Sequence, residues 1–234
     1  MAPKLEADHR PPKKTAASNR LALTRERVIE AAIAMADASG VEALTIRKLA
    51  TELDVWPMAI YHHVPNKDSI IDGMVDLVFD KIDIPPTDHD WKTAIRQRSV
   101  SAREVLARHR WAAPLMESRR TAGPATLRHH EAVLDCLRNG GLSIEMSAHA
   151  YALIDAFIYG FALLEANLPA TGGQDMADLA ETIIDPLPAE LYPRLIELTT
   201  EHVLQPGYDF GNEFDFGLDL ILNGLQATAK RSNP

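Results

Sequence analysis

Apolar positions recur at steps of three and four from Leu21 to the C-terminal region, and no segment shows the strict alternation of a half-buried strand. The expected fold class is therefore all-α. In the first helix, over Thr24 to about Ser39, Val28, Ala31, Ala32, Met35 and Ala36 share one face, and Gly40 ends it. Thr45 then caps a second helix, Ile46 to Leu53, with Ile46, Leu49, Ala50 and Leu53 inward and Arg47, Lys48, Thr51 and Glu52 outward. A tight turn at Asp54-Val55-Trp56 leads to Pro57, whose fixed φ suits a first helical residue, and a short third helix runs to His63 with Ile60 inward. Asn66 caps a fourth helix, with Lys67 in its first turn.

Further on, the spacing predicts helices over Trp91 to about Arg110, about Pro124 to Asn139, Ile144 to Asn167, Leu191 to about Leu204 and Glu213 to Lys230, with Pro- and Gly-marked loops between them. On the last, Phe214, Leu218, Ile221 and Leu225 form one stripe; Ile144, Ala148, Tyr151, Asp155, Ile158 and Ala162 form a face on a helix that is apolar nearly all round. The chain thus divides into a polar tail expected to be disordered (residues 1–21), a three-helix helix-turn-helix domain (22–70) and a larger helical domain (71–234).

Charge sharpens this division. Residues 1–67 hold ten basic and eight acidic side chains, whereas residues 139–234 hold three basic and fourteen acidic ones, so the net charge of -9 is concentrated at one end. The mildly basic end, with Arg10, Lys13 and Lys14 clustered in its tail, is the one suited to phosphate. In a helix-turn-helix the second helix enters the major groove, and the N-terminus of the helix capped by Asn66 can offer N–H groups to a phosphate.

The stretch Leu44 to Met74, LTIRKLATELDVWPMAIYHHVPNKDSIIDGM, resembles the TetR (tetracycline-repressor-like) family, most specifically in Ile60-Tyr61-His62-His63-Val64-Pro65-Asn66-Lys67. Arg27 to Gly40 is similar too, although Asp54 stands where the family often has glycine. The resemblance implies that Arg47 reaches a base edge or a phosphate, and that Thr45, Tyr61 and Lys67 hold phosphates. It implies also that Trp56, Pro57, Met58, Ala59 and His62 lie at or near the bases, with His63 beside them. That reading surface is unusually apolar and suits thymine methyl groups. The resemblance further implies a homodimer joined by two helices from each subunit, bound to a pseudo-palindromic site in double-stranded DNA with half-sites about 34–36 Å apart.

From Trp91 onward the likeness to the tetracycline-repressor C-terminal domain is looser; the family's drug-binding asparagine falls close to Arg98, and neither tetracycline nor a metal is carried over. Candidate effector contacts are polar or aromatic groups on apolar helical faces: His109, Trp111, Met116, His130, Leu134, Tyr151, Asp155, Phe157, Tyr159 and Phe161. Asp155, a carboxylate on an apolar helix, needs a partner, which is either a core arginine or a ligand. His129-His130-Glu131 is not expected to hold a metal, because adjacent histidines point to different helix faces. No cofactor is expected. Cys136 stands alone, which excludes an intramolecular disulfide, and no apolar stretch follows the first basic residues, so no secretory signal is expected. Tyr151 to Leu168 carries Asp155 and Glu165 and reads as a buried helix rather than a membrane span. Gly-rich phosphate loops, HExxH and GxSxG are all missing from the sequence. The expectation is a cytoplasmic, non-enzymatic regulator, most simply a repressor released by an amphipathic small molecule of unknown identity.

Overall fold

The computed structural model describes residues 22–116 and 118–232; the basic segment 1–21 lies outside the described residues. Among them there are eleven α-helices and no β-strand. The first three are α1 Arg25–Ser39, α2 Ile46–Glu52 and α3 Pro57–Tyr61, with a 3-10 turn Val41–Ala43 after α1. Their starts follow from local chemistry: Thr24 Oγ accepts from the Arg27 N–H and Thr45 Oγ from the Lys48 N–H, both at 3.2 Å. Gly40, at φ 80, ends α1, and Asp54, at φ 54, makes the left-handed turn between α2 and α3. Helix α3 stops at Tyr61, short of His63, because Val64 precedes Pro65 and is held out of helical geometry.

The inner face of α1 is rotated slightly from expectation. Val28, Ile29, Ala32, Ile33 and Ala36 are buried, while Ala31 and Met35, like Ile46 of α2, are only half-buried. These residues close a small core with Leu49, Ile60 and, from α4 (Lys67–Asp80), Ile70 and Met74. Helix α4 then carries the chain into the larger layer: α5 Trp91–Arg108, α6 Ala113–Met116, α7 Pro124–Asn139, α8 Ile144–Asn167, α9 Gly173–Ile184, α10 Pro193–Leu198 and α11 Asn212–Ser232. The single helix expected over Leu191 to about Leu204 is in fact α10 continued by a π-helical turn, Thr199–Val203.

Helix α8 sits centrally, packed on α5, α6, α7 and α11. It is long and apolar enough by composition to cross a membrane, but nearly half of that window is buried inside the protein. Two expected faces are corrected. Phe214 and Leu218 are wholly buried with Leu222 between α11 and its neighbours, Leu225 is nearly so, and Ile221 is half-buried, so this stripe belongs to the subunit's own core. On α8, Asp155, Ile158 and Ala162 are buried but Ile144 is 76% exposed and Ala148 is exposed too, so the six residues do not form one buried face. The sides left open are different ones: Ala148, Ala152, Ala156, Gly160 and Leu164 on α8, and Phe216, Leu220 and Gly224 on α11.

Helix α4 carries aspartates at every fourth position, Asp68, Asp72, Asp76 and Asp80, and each is engaged from the α7 side. Arg119 Nε donates to Asp72 Oδ1 at 2.6 Å and its Nη2 reaches Asp68 at 3.5 Å; Arg128 Nη2 donates to Asp80 at 2.7 Å. Asp76 Oδ1 accepts from the Thr126 N–H at 2.8 Å and from its hydroxyl at 3.0 Å. Gly123, the residue before α7, has no capping side chain, so Asp76 caps that helix from across the interface. A Cβ on Gly123 would lie 2.2 Å from Asp76 Cγ, which is why the position is glycine.

Candidate nucleic-acid interface and buried effector site

The exposed end of the small domain is built by the α2–turn–α3 unit. Trp56, the residue before α3, is 83% exposed and Met58 is 68% exposed, an extent of bare apolar surface that a monomer's folding does not explain. Pro57 and Ala59 are half-buried between them, and Tyr61, His62 and His63 are exposed at the helix end. Arg47 and Lys48 stand exposed on α2. The Thr45 oxygen accepts from Lys48, which leaves its O–H to donate outward. At the other edge Asn66 Oδ1 accepts from the Ser69 N–H at 2.8 Å, and Lys67, the first residue of α4, is exposed. All ten residues named from the sequence for this surface thus lie on or beside α2, α3 and the start of α4. Donors surround an apolar centre, which is the arrangement that grips phosphates and reads base methyl groups.

The effector candidates separate into distinct groups. Asp155 meets an arginine: Arg98 Nη1 donates to Asp155 Oδ1 at 2.9 Å, with Arg98 1% and Asp155 6% exposed. Arg98 Nε donates to His129 Nε2 at 2.8 Å, so α5, α7 and α8 meet in one buried polar cluster. Burial, and then the charge of Arg98, pull the His129 imidazole down from 6.5 to about 3. Next to this cluster, His130 Nδ1 and the Tyr151 hydroxyl lie 2.8 Å apart, and Phe79 of α4 packs between the rings of His129 and His130 at 5.7 and 5.6 Å. The two adjacent histidines therefore address different partners.

His109 and Trp111 belong elsewhere. His109 Nδ1 lies 2.8 Å from Asp37 of α1, the Trp111 indole N–H donates to the same carboxylate at 2.7 Å, and His109 Nε2 lies 3.1 Å from Lys81 Nζ. They join the small domain to the large one instead of facing the Arg98 cluster. Met116 is buried in α6, and Leu134 is on the surface at 38% exposure. Phe157 stacks on Phe214 at 5.3 Å, with Phe161 edge-on to the same ring at 5.1 Å, so both serve the α8–α11 contact. Tyr159 is buried on α8. Arg98 and His129 were not among the candidate contacts: an arginine inside an amphipathic helix ordinarily signals a solvated face.

The pairing of a base-reading head with a large helical body is also what known proteins show. Residues 28–74 match the model for bacterial regulatory proteins of the tetR family, and residues 84–229 match the tetracyclin repressor-like C-terminal domain. The chain belongs to the TetR family. The HTH-type transcriptional repressor DrrR1 of Streptomyces coeruleorubidus is 33% identical over 216 residues, covering 87% of this chain and 77% of that protein. Apo ActR from Streptomyces coelicolor superposes with a TM-score of 0.74 at 29% identity, covering 91% of this chain and 99% of that one. ActR in complex with actinorhodin gives a TM-score of 0.73 at 30% identity, over 89% of this chain and 99% of that one. This TetR-family chain is thus a ligand-responsive, DNA-binding transcriptional regulator. Regulators of this family are soluble DNA-binding proteins and are generally not enzymes.

Proposed function

We propose that this regulator is a cytoplasmic, non-catalytic repressor that holds a pseudo-palindromic operator as a homodimer and releases it when a small amphipathic molecule enters the larger domain. The observation that carries the reading is the exposed surface of Trp56, Met58, Tyr61 and His62, flanked by Thr45, Arg47 and Lys67. In this reading residues 22–70 form the DNA-binding unit and residues 71–234 the sensing and dimerising unit. Arg47 takes a guanine or a phosphate; Thr45, Tyr61 and Lys67 take phosphates; Trp56, Pro57, Met58, Ala59 and His62 face the bases, with His63 at the edge. The open faces of α8 and α11, with Phe216, Leu220 and Leu164, supply the apolar surface that a second copy covers. Among the sequence candidates, His130, Tyr151 and Asp155 are assigned to the effector because they are polar groups gathered where α5, α7 and α8 meet, and the relatives' character as a repressor and as an actinorhodin-binding protein supports both halves of the reading.

The test is a footprint of the purified protein on the DNA upstream of its own gene at two salt concentrations. A protected palindrome is expected, with affinity falling steeply as salt rises. Lys67→Ala should weaken binding on the order of tenfold and reduce the salt slope by about one counterion. If a pool of random duplexes yields no enriched sequence, the reading is wrong.

A further inference from the structure

Trp56 and Met58 are the most exposed large apolar side chains of residues 22–70, and the backbone that carries them is held in one shape. Trp56 is extended (φ -75, ψ 143), as the residue before a proline prefers, and its carbonyl accepts from the Ala59 N–H at 2.9 Å. The Met58 side chain has no hydrogen-bond donor and only a weakly accepting sulfur; Trp56 adds one indole N–H. The other hydrogen-bonding side chains of this surface stand at its margins: Thr45 and Arg47 at the start of α2, and Tyr61, His62 and His63 at the far end of α3. In the major groove a thymine shows an O4 acceptor and a C5 methyl group, whereas a cytosine shows an N4 donor and no methyl. A methionine serves O4 and N4 equally poorly, so the methyl group is the feature it can distinguish. A cytosine methylated at C5 carries that same group.

We infer that Met58 is a specificity-determining residue that reads the C5 methyl group of a pyrimidine, so that each half-site takes thymine or 5-methylcytosine at one position and disfavours cytosine and uracil there. The inference rests on the DNA-binding reading above and deepens it by naming the base feature recognised. It also makes operator affinity responsive to cytosine C5 methylation: a methyl group added to a cytosine at that position improves the site without changing the base pairing. Burying one methyl group is worth about fourfold in affinity, and a two-fold-symmetric complex buries two, about fifteenfold together. The phosphate contacts assigned to Thr45, Tyr61 and Lys67 carry no part of this preference, because phosphates are the same at every base pair.

The experiment uses the full-length protein and the best duplex selected from a random pool, with affinity read by fluorescence anisotropy at fixed salt. Each thymine is replaced in turn by deoxyuridine, which removes the methyl group and keeps the pairing. At one symmetry-related pair of positions wild type should lose about fifteenfold. At that pair 5-methylcytosine opposite guanine should bind within about threefold of thymine, and cytosine about fifteenfold more weakly than 5-methylcytosine. In Met58→Ala, a change at an exposed position outside the core, the deoxyuridine penalty at that pair should fall below about twofold while the salt slope stays as in wild type, which separates lost methyl reading from lost folding. Absence of any such pair of thymines, equal binding of cytosine and 5-methylcytosine, or a penalty that survives intact in Met58→Ala would each overturn the inference. An enriched palindrome without methyl dependence defeats this inference alone, whereas a pool that yields no enriched sequence defeats the DNA-binding reading along with it.

Discussion

Acid should loosen this protein through one histidine. Folded His129 stays neutral down to about pH 3, whereas in the unfolded chain the same ring takes up a proton near its ordinary 6.5. Between those values the unfolded state binds more protons, so stability is lost as pH falls through that window and is unaffected above it. At pH 5 the linkage amounts to about 2 kcal/mol, some 1.5 pH units at about 1.4 kcal/mol each. The variant that isolates it is His129→Gln, whose amide oxygen can still accept from Arg98 Nε but does not titrate. Urea unfolding of both proteins at about pH 7.5 and pH 5, at one fixed protomer concentration because assembly contributes to stability, gives the four free energies needed. Other carboxylates and histidines cancel in the difference. Wild type should lose about 2 kcal/mol more than the variant over that interval. Parallel losses, within about 0.5 kcal/mol, would refute the claim that burial against Arg98 keeps this ring neutral.

Two further outcomes follow from the junctions between elements. Asp37→Asn weakens the carboxylate that the Trp111 indole and His109 share, and it should lower the melting temperature by several degrees, the equivalent of about 1–3 kcal/mol for charge-assisted hydrogen bonds. Gly123→Ala drives a methyl group into Asp76 and displaces the acceptor that caps α7, so it should destabilise by about 1–2 kcal/mol in thermal unfolding, whereas Gly141→Ala, where a Cβ meets nothing but the backbone is at φ 87, should cost about 1 kcal/mol from conformation alone.

The reading head was legible because its determinants are local. Thr24, Thr45 and Asn66 announce helix starts, Gly40 and Asp54 supply left-handed turns, and Pro57 fixes the first turn of α3, all within a few residues of what they control. The larger domain was less legible for a physical reason. Helix α8 is apolar on most sides, so its periodicity does not tell which side meets α5 and which meets another subunit, and the stripe on α11 turned out to be core. The buried polar cluster of the larger domain was half visible. Asp155 was recognisably in need of a partner, but that partner lies 57 residues earlier and its second ligand, His129, 31 residues from it, separations that leave no mark on local spacing. His109 and Trp111 looked like pocket residues because they are polar groups near apolar ones; a junction between domains has the same composition.

The aspartates of α4 bear on whether the reading head could exist by itself. Carboxylates at positions 68, 72, 76 and 80 stack like charge over like charge along one side of the helix, and each such neighbour disfavours an isolated helix by about 0.2–0.5 kcal/mol. Arg119, Arg128 and the Thr126 N–H, which answer those charges, all come from the sensing body. Ile70 and Met74 on the same helix complete the core beneath the base-reading surface. Cut away from its body, the head would lose the last wall of that core as α4 frays, so the unit that reads DNA is autonomous in sequence but not in folding.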